Sequence, residues 1–224
     1  MDPDVAAQSP DDRFSHPKYR PDIDGLRALA VLAVVAFHAF PRAVTGGFVG
    51  VDVFFVISGY LISTILLENL RRGTFSFATF YVRRIRRIVP ALMLVLAVTC
   101  MLGWLLLLPD EFRLLGRHVA AGAAFIGNFA MLDEVSYFDG GAHAKQLLHL
   151  WSLGIEEQFY LLWPLTLWLA VRCRVSPALV MGVGIAASLW LFLRAAWLDP
   201  AAAFYLPQAR LWELLAGGLL WWAS

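Results

Sequence analysis

Leu26-Arg27-Ala28-Leu29-Ala30-Val31-Leu32-Ala33-Val34-Val35-Ala36-Phe37-His38-Ala39-Phe40 is an apolar run broken by two ionisable residues, Arg27 and His38. Read as a helix at about 100° per residue, those two positions share a face, about three turns or roughly 16 Å apart. An ionisable group deep in lipid is costly, so it faces a protein interior or a water-filled cavity. The run therefore predicts a membrane span, with His38 at depth on a line with an arginine at the membrane surface.

The rest of the chain extends this reading. It is 60% hydrophobic and 16% charged, where a soluble domain carries about 25% charged residues. Several apolar stretches approach the roughly 20 residues that cross a bilayer. Strand alternation is absent, which argues against a barrel. The predicted fold class is all-α, a polytopic transmembrane helical bundle of six to seven hydrophobic segments, one of them re-entrant. The predicted spans are Leu26–Val44, Gly47–Leu70, Ile88–Leu108, Leu114–Leu132, Leu150–Val171, Ala178–Leu198 and Arg210–Trp222. Residues 1–18 are polar and read as a disordered cytoplasmic tail. Residues 19–224 read as one membrane domain, truncated at its C-terminus because the last apolar segment stops at Ser224 without a polar tail. Cys100 and Cys173 suit neither a disulfide framework nor a zinc site. The net charge of +1 says nothing about partners by itself, and no nucleic-acid partner is expected.

Basic residues set the orientation. Arg71, Arg72, Arg83, Arg84, Arg86 and Arg87 lie between the second and third spans, and Lys18, Arg20 and Arg27 precede or open the first. Both regions are therefore predicted to be cytoplasmic, as is the N-terminus. Arg172 and Arg174 also look cytoplasmic, which conflicts with a simple alternation of spans. The conflict resolves if Leu114–Leu132, interrupted by Arg117 and His118, does not fully cross.

Each candidate residue has a plain reading beside a functional one. Arg27 snorkels and His38 bonds a neighbouring helix, or His38 is a general base that takes a hydroxyl proton. Asp52 caps or pairs structurally, or belongs to an outer-half site. Arg83-Arg84-Ile85-Arg86-Arg87 is a topology signal, or its planar guanidinium forks bind phosphates of a cytosolic donor. Glu156 and Glu157 are adjacent and about 100° apart, so they do not share one small site. Two such acids in a span are costly, which favours function. Arg210 and Glu213 stand one turn apart as an ion pair or as site residues.

Taken in order, these motifs resemble the membrane acyltransferase 3 family, of the O-antigen and peptidoglycan O-acetylase type. The resemblance covers about Tyr19 to Trp222. It rests on Asp24-Gly25-Leu26-Arg27 with the following His38, Gly50-Val51-Asp52-Val53-Phe54-Phe55 and Ile57-Ser58-Gly59-Tyr60. It continues through Phe80 to Pro90 with the arginine cluster, Leu148-His149-Leu150-Trp151-Ser152-Leu153, Glu156-Glu157-Gln158-Phe159-Tyr160 and Arg210-Leu211-Trp212-Glu213. It implies about ten transmembrane helices, about three of them beyond this sequence, in a multi-pass protein of the bacterial inner membrane. It implies transfer of an acetyl or other short acyl group from cytosolic acetyl-CoA, as co-substrate, to hydroxyls of an extracytoplasmic cell-surface glycan.

The catalytic set expected on this basis is His38, Glu156, Glu157, Asp52, Arg210 and Glu213. The donor-binding set is Arg27, Arg83, Arg84, Arg86 and Arg87, with no metal. Arg210 would stabilise a developing oxyanion. Tyr60, Tyr137 and Tyr160 are possible acyl carriers. The partners expected are the glycan acceptor and the lipid bilayer, and the oligomeric state is not legible. The rival class is a proton-coupled transporter or flippase of a lipid-linked glycan, since buried His and Glu also form proton relays. No inverted repeat supports it.

Overall fold

The computed structural model describes residues 20–137 and 146–223. The predicted N-terminal tail lies outside them, as do residues 138–145 of the connection before the fifth span. The described residues form helices α1 (Pro21–Ala39), α2 (Val49–Arg72), α3 (Phe77–Leu106), α4 (Pro109–Ala123), α5 (Gly127–Tyr137), α6 (Leu150–Arg172), α7 (Pro177–Leu198), α8 (Pro200–Tyr205) and α9 (Pro207–Ala223), with no strand among them. Five of these helices open on proline, whose fixed φ suits the first turn and whose missing N–H costs nothing there. Among the described residues α2, α3 and α7 are long and apolar enough to cross a membrane. Of their most apolar stretches, 44% of α2 is buried but only 17% of α3 and 11% of α7. The latter two therefore turn apolar surface outward, as lipid contact requires.

Several boundaries move from those expected. The first helix ends at Ala39 rather than Val44, because Pro41 biases Phe40 away from helical angles (φ −135°, ψ 60°). The third begins at Phe77 rather than Ile88. Ser76 caps it by accepting from the Thr79 N–H at 3.4 Å. What looked like a basic loop is thus two turns and more of helix. The segment Leu114–Leu132 is two helices, α4 and α5. Short α8 was not foreseen, although Asp199-Pro200 is a start signal and the Asp199 side chain accepts from the Ala202 N–H at 3.1 Å.

The chain divides into two compact units. The first holds α1, α2, the C-terminal half of α6, most of α7 and most of α9. In it α1 runs antiparallel to α2: Gly50 packs on Ala30 and Val34, Arg27 lies 5.4 Å above the Phe54 ring, and Arg20 donates to the Tyr60 hydroxyl at 3.5 Å. Helix α9 crosses α2 at backbone contact. A Cβ on Gly59 would collide with the Leu214 carbonyl, and one on Gly217 with the Val56 carbonyl. Trp163 of α6 donates to Ser63 at 2.9 Å, and farther along Trp168, Val171 and Arg172 line a cavity with Leu70, Gly73 and Phe75. Arg71, Arg72 and Arg172 therefore share one end of this unit.

The second unit holds α3, α4, α5, the N-terminal half of α6, the end of α7, α8 and the start of α9. Its core joins Leu92 and Leu96 of α3, Leu115 of α4, and Leu147 and Leu150 at the start of α6. At the other end of the α3–α6 contact, Tyr81 donates to the Leu161 carbonyl at 2.8 Å. Hence α3 and α6 are antiparallel, and the whole α4–α5 excursion returns the chain to the end of the unit that it left.

Candidate functional site

On α3, Arg83, Arg86 and Arg87 fall within about 100° of arc, while Arg84 stands about 160° from Arg86. Arg86 and Arg87 are exposed, whereas Arg83 and Arg84 are half-buried. Arg84 is turned inward, its guanidinium carbon 4.3 Å above the Tyr160 ring and 5.9 Å from that of Phe80. The early start of α3 thus carries one arginine of the cluster against α6. The expected separation by depth between the basic cluster and the glutamates does not hold for Arg84.

The Glu156-Glu157-Gln158 run divides into three environments, as its 100° steps require. Glu156 accepts from the Tyr160 hydroxyl at 3.5 Å, one turn on. Glu157 faces the electrostatic influence of Arg84 and Glu156, and its Oε1 is buried with no hydrogen-bond partner among the described residues. Gln158 donates to the Phe125 carbonyl at 2.8 Å and to Asn128 Oδ1 at 2.9 Å. Asn128 in turn donates to the Tyr205 carbonyl at 3.1 Å. Phe125 has φ +56°, the left-handed conformation that separates α4 from α5. Gln158 therefore clamps the helix break, and Gly154 leaves room for it, lying against the Phe125 carbonyl.

Arg210 is 6% exposed, with its guanidinium carbon 6.0 Å from the Trp151 ring and 5.8 Å from that of Phe204. Glu213, one turn on, is 1% exposed. Both are more deeply enclosed than the start of a span would suggest.

His38 is exposed in the last turn of α1, a consequence of the early stop at Pro41. Its Nδ1 lies 2.8 Å from the Val34 carbonyl. A carbonyl only accepts, so Nδ1 carries the proton and Nε2 presents a lone pair. That is the tautomer a general base needs. Arg27 is held by Asp24 at 3.6 Å and by the Phe54 ring. Asp52 sits in the first turn of α2, where a negative charge meets the helix N-terminus favourably.

One buried pair was not foreseen. His118, 2% exposed, contacts Glu134 of α5 at 2.5 Å through Nε2. The spacing Leu115, His118, Ala121, Gly122 would have put it on the apolar face of α4, opposite Arg113 and Arg117. Burial and the nearby Glu134 carboxylate push the Tyr205 phenol above its usual range. Tyr137, a possible acyl carrier, lies at the end of α5, where side chains are outside the described set.

Comparison with known proteins now bears on this arrangement. Residues 20–221 match the family described as an acyltransferase domain. The chain is 38% identical to the peptidoglycan O-acetyltransferase OatA of Listeria monocytogenes over 92% of its own length and 34% of that protein's. It is 38% identical to a putative peptidoglycan O-acetyltransferase, YrhL, of Bacillus subtilis, over 93% and 34%. It is 35% identical to a putative O-acetyltransferase of Staphylococcus aureus, over 93% and 35%. The chain spans about a third of the length of these relatives. No solved structure matches it.

Proposed function

The chain belongs to the acyltransferase domain family, and from that membership we propose that it is an integral membrane O-acyltransferase. It moves an acetyl or other short acyl group from cytosolic acyl-CoA to hydroxyls of an extracytoplasmic cell-surface polysaccharide. Peptidoglycan is the acceptor named for two of its relatives. The observation that carries this reading is the match over residues 20–221, which includes the Arg27–His38, Arg83–Arg87 and Glu156–Gln158 motifs.

The exposed arginines on the first turns of α3 are the donor's phosphate contacts, since a guanidinium fork suits phosphate. Nε2 of His38 takes the proton from an acceptor hydroxyl as its oxygen attacks the thioester carbonyl. The C–S bond then breaks, and the departing CoA thiolate takes up a proton as the O-acyl ester forms. Arg210 is the candidate oxyanion stabiliser, and Asp52, Glu213 and one of Glu156 and Glu157 are the candidate acids of the reaction.

The protein lies in the bacterial inner membrane with its N-terminus cytoplasmic. The shared end of Arg71, Arg72 and Arg172 supports that orientation. The antiparallel α3 and α6 support an α4–α5 hairpin that does not cross.

Proteoliposomes given acetyl-CoA labelled in its acetyl group, with peptidoglycan fragments as acceptor, test the proposal. Label should appear in ester linkage on the glycan. Glycan movement without any label transfer would establish the transporter reading instead.

A further inference from the structure

Arg84 differs from the other arginines of its cluster in where it points. It stacks on Tyr160, which itself meets Glu156 one turn back, and Tyr160 lies one turn from Glu157 on α6. A carboxylate at three residues' spacing from an aromatic ring is its neighbour on the helix surface. A guanidinium seated over that ring is thereby brought to the Glu157 side of α6. Glu157 keeps a buried Oε1 that no described protein group satisfies. A buried carboxylate oxygen of this kind is costly unless a cation compensates it.

We propose that Arg84 is a positioning residue, held over Tyr160 as the counter-charge of Glu157 rather than as a ligand of the donor's phosphates. The inference deepens the acyl-transfer reading and rests on it for its kinetic consequences. It sets one inward arginine, which orders the acid on α6, apart from the exposed Arg86, whose role is to meet a phosphate. A lysine at position 84 would keep the charge and a cation–π contact with Tyr160 while losing the planar stacking, so Arg84→Lys should retain more function than Arg84→Gln.

The test combines kinetics with a melting cycle on the purified protein in detergent, using Arg84→Gln, Arg84→Lys, Glu157→Gln, Arg86→Gln and the double variant Arg84→Gln/Glu157→Gln. Arg84→Gln should lower kcat on the order of 100-fold, the cost of a misplaced group, with KM for acetyl-CoA within about twofold of the parent. Arg86→Gln should do the reverse and raise that KM. Arg84→Gln should also lower the melting temperature, and adding Glu157→Gln should restore it, because the uncompensated carboxylate is gone. A raised KM with unchanged kcat in Arg84→Gln, or additive melting shifts in the double variant, overturns the proposal. If the parent protein transfers no acetyl group, the acyl-transfer reading fails, and the melting cycle still decides whether Arg84 and Glu157 are partners.

Discussion

His38 shows how much a single residue's role depends on one hydrogen bond. The Val34 carbonyl fixes the Nδ1–H tautomer and leaves Nε2 as the basic nitrogen. His38→Gln keeps a polar side chain of similar reach that cannot take up a proton. It should reduce acyl transfer by about 10²–10⁴-fold, the usual worth of a general base, without disturbing membrane insertion. Full activity in a correctly inserted His38→Gln protein would remove the base assignment. The Arg27–His38 spacing was legible in the sequence because it needs only the helical period. The exposure of His38 is not legible from apolar length alone, because it depends on the helix stopping before Pro41. Arg84 could not be told from Arg83, Arg86 and Arg87 by sequence, since its inward turn depends on a ring that lies 76 positions away.

At the scale of elements, apolar length was enough to find helices α2, α6 and α7 almost to the residue, because long uncharged runs admit few alternatives. Polar punctuation was harder. Ser76 starts α3 well before its apolar portion, and an amphipathic first half carries no strong hydropathy signal. The α4–α5 break has a distant cause. Phe125 adopts a left-handed φ with its carbonyl exposed to the bundle, and Gln158 from α6 satisfies it. In Gln158→Leu the Phe125 carbonyl and the Asn128 side chain both lose a donor inside unit two. Leaving buried acceptors unsatisfied should cost about 2–3 kcal/mol, visible as a lower melting temperature in detergent. An unchanged melting temperature would mean that the break is held by backbone contacts alone. Gln158, in a motif otherwise made of acids, is thus assigned to architecture.

The whole molecule is decided by the direction of its helices. The sequence posed a parity problem, with too many apolar segments for the basic residues at both Arg71–Arg72 and Arg172–Arg174 to share a side. The antiparallel contact of α3 with α6 bears on it: Tyr81 meets Leu161, while Leu92 and Leu96 pack with Leu150. The end of α3 and the beginning of α6 then lie together, which supports the proposal that α4 and α5 make no net crossing. Their lengths agree, because 15 and 11 residues rise only about 22 and 16 Å against a hydrocarbon core of about 30 Å. In a background with Cys100 and Cys173 replaced by serine, single cysteines at Asp110, Asp133 and Ser176 should report this. A membrane-impermeant thiol reagent applied to intact cells should label positions 110 and 133, at the start of α4 and within α5, and spare 176, between α6 and α7. Labelling of 110 but not of 133 would mean that the hairpin crosses after all. The start of α6 would then be cytoplasmic, Arg172 would face outward against the positive-inside rule, and the proposed orientation of the acyl-transfer path would have to be reversed.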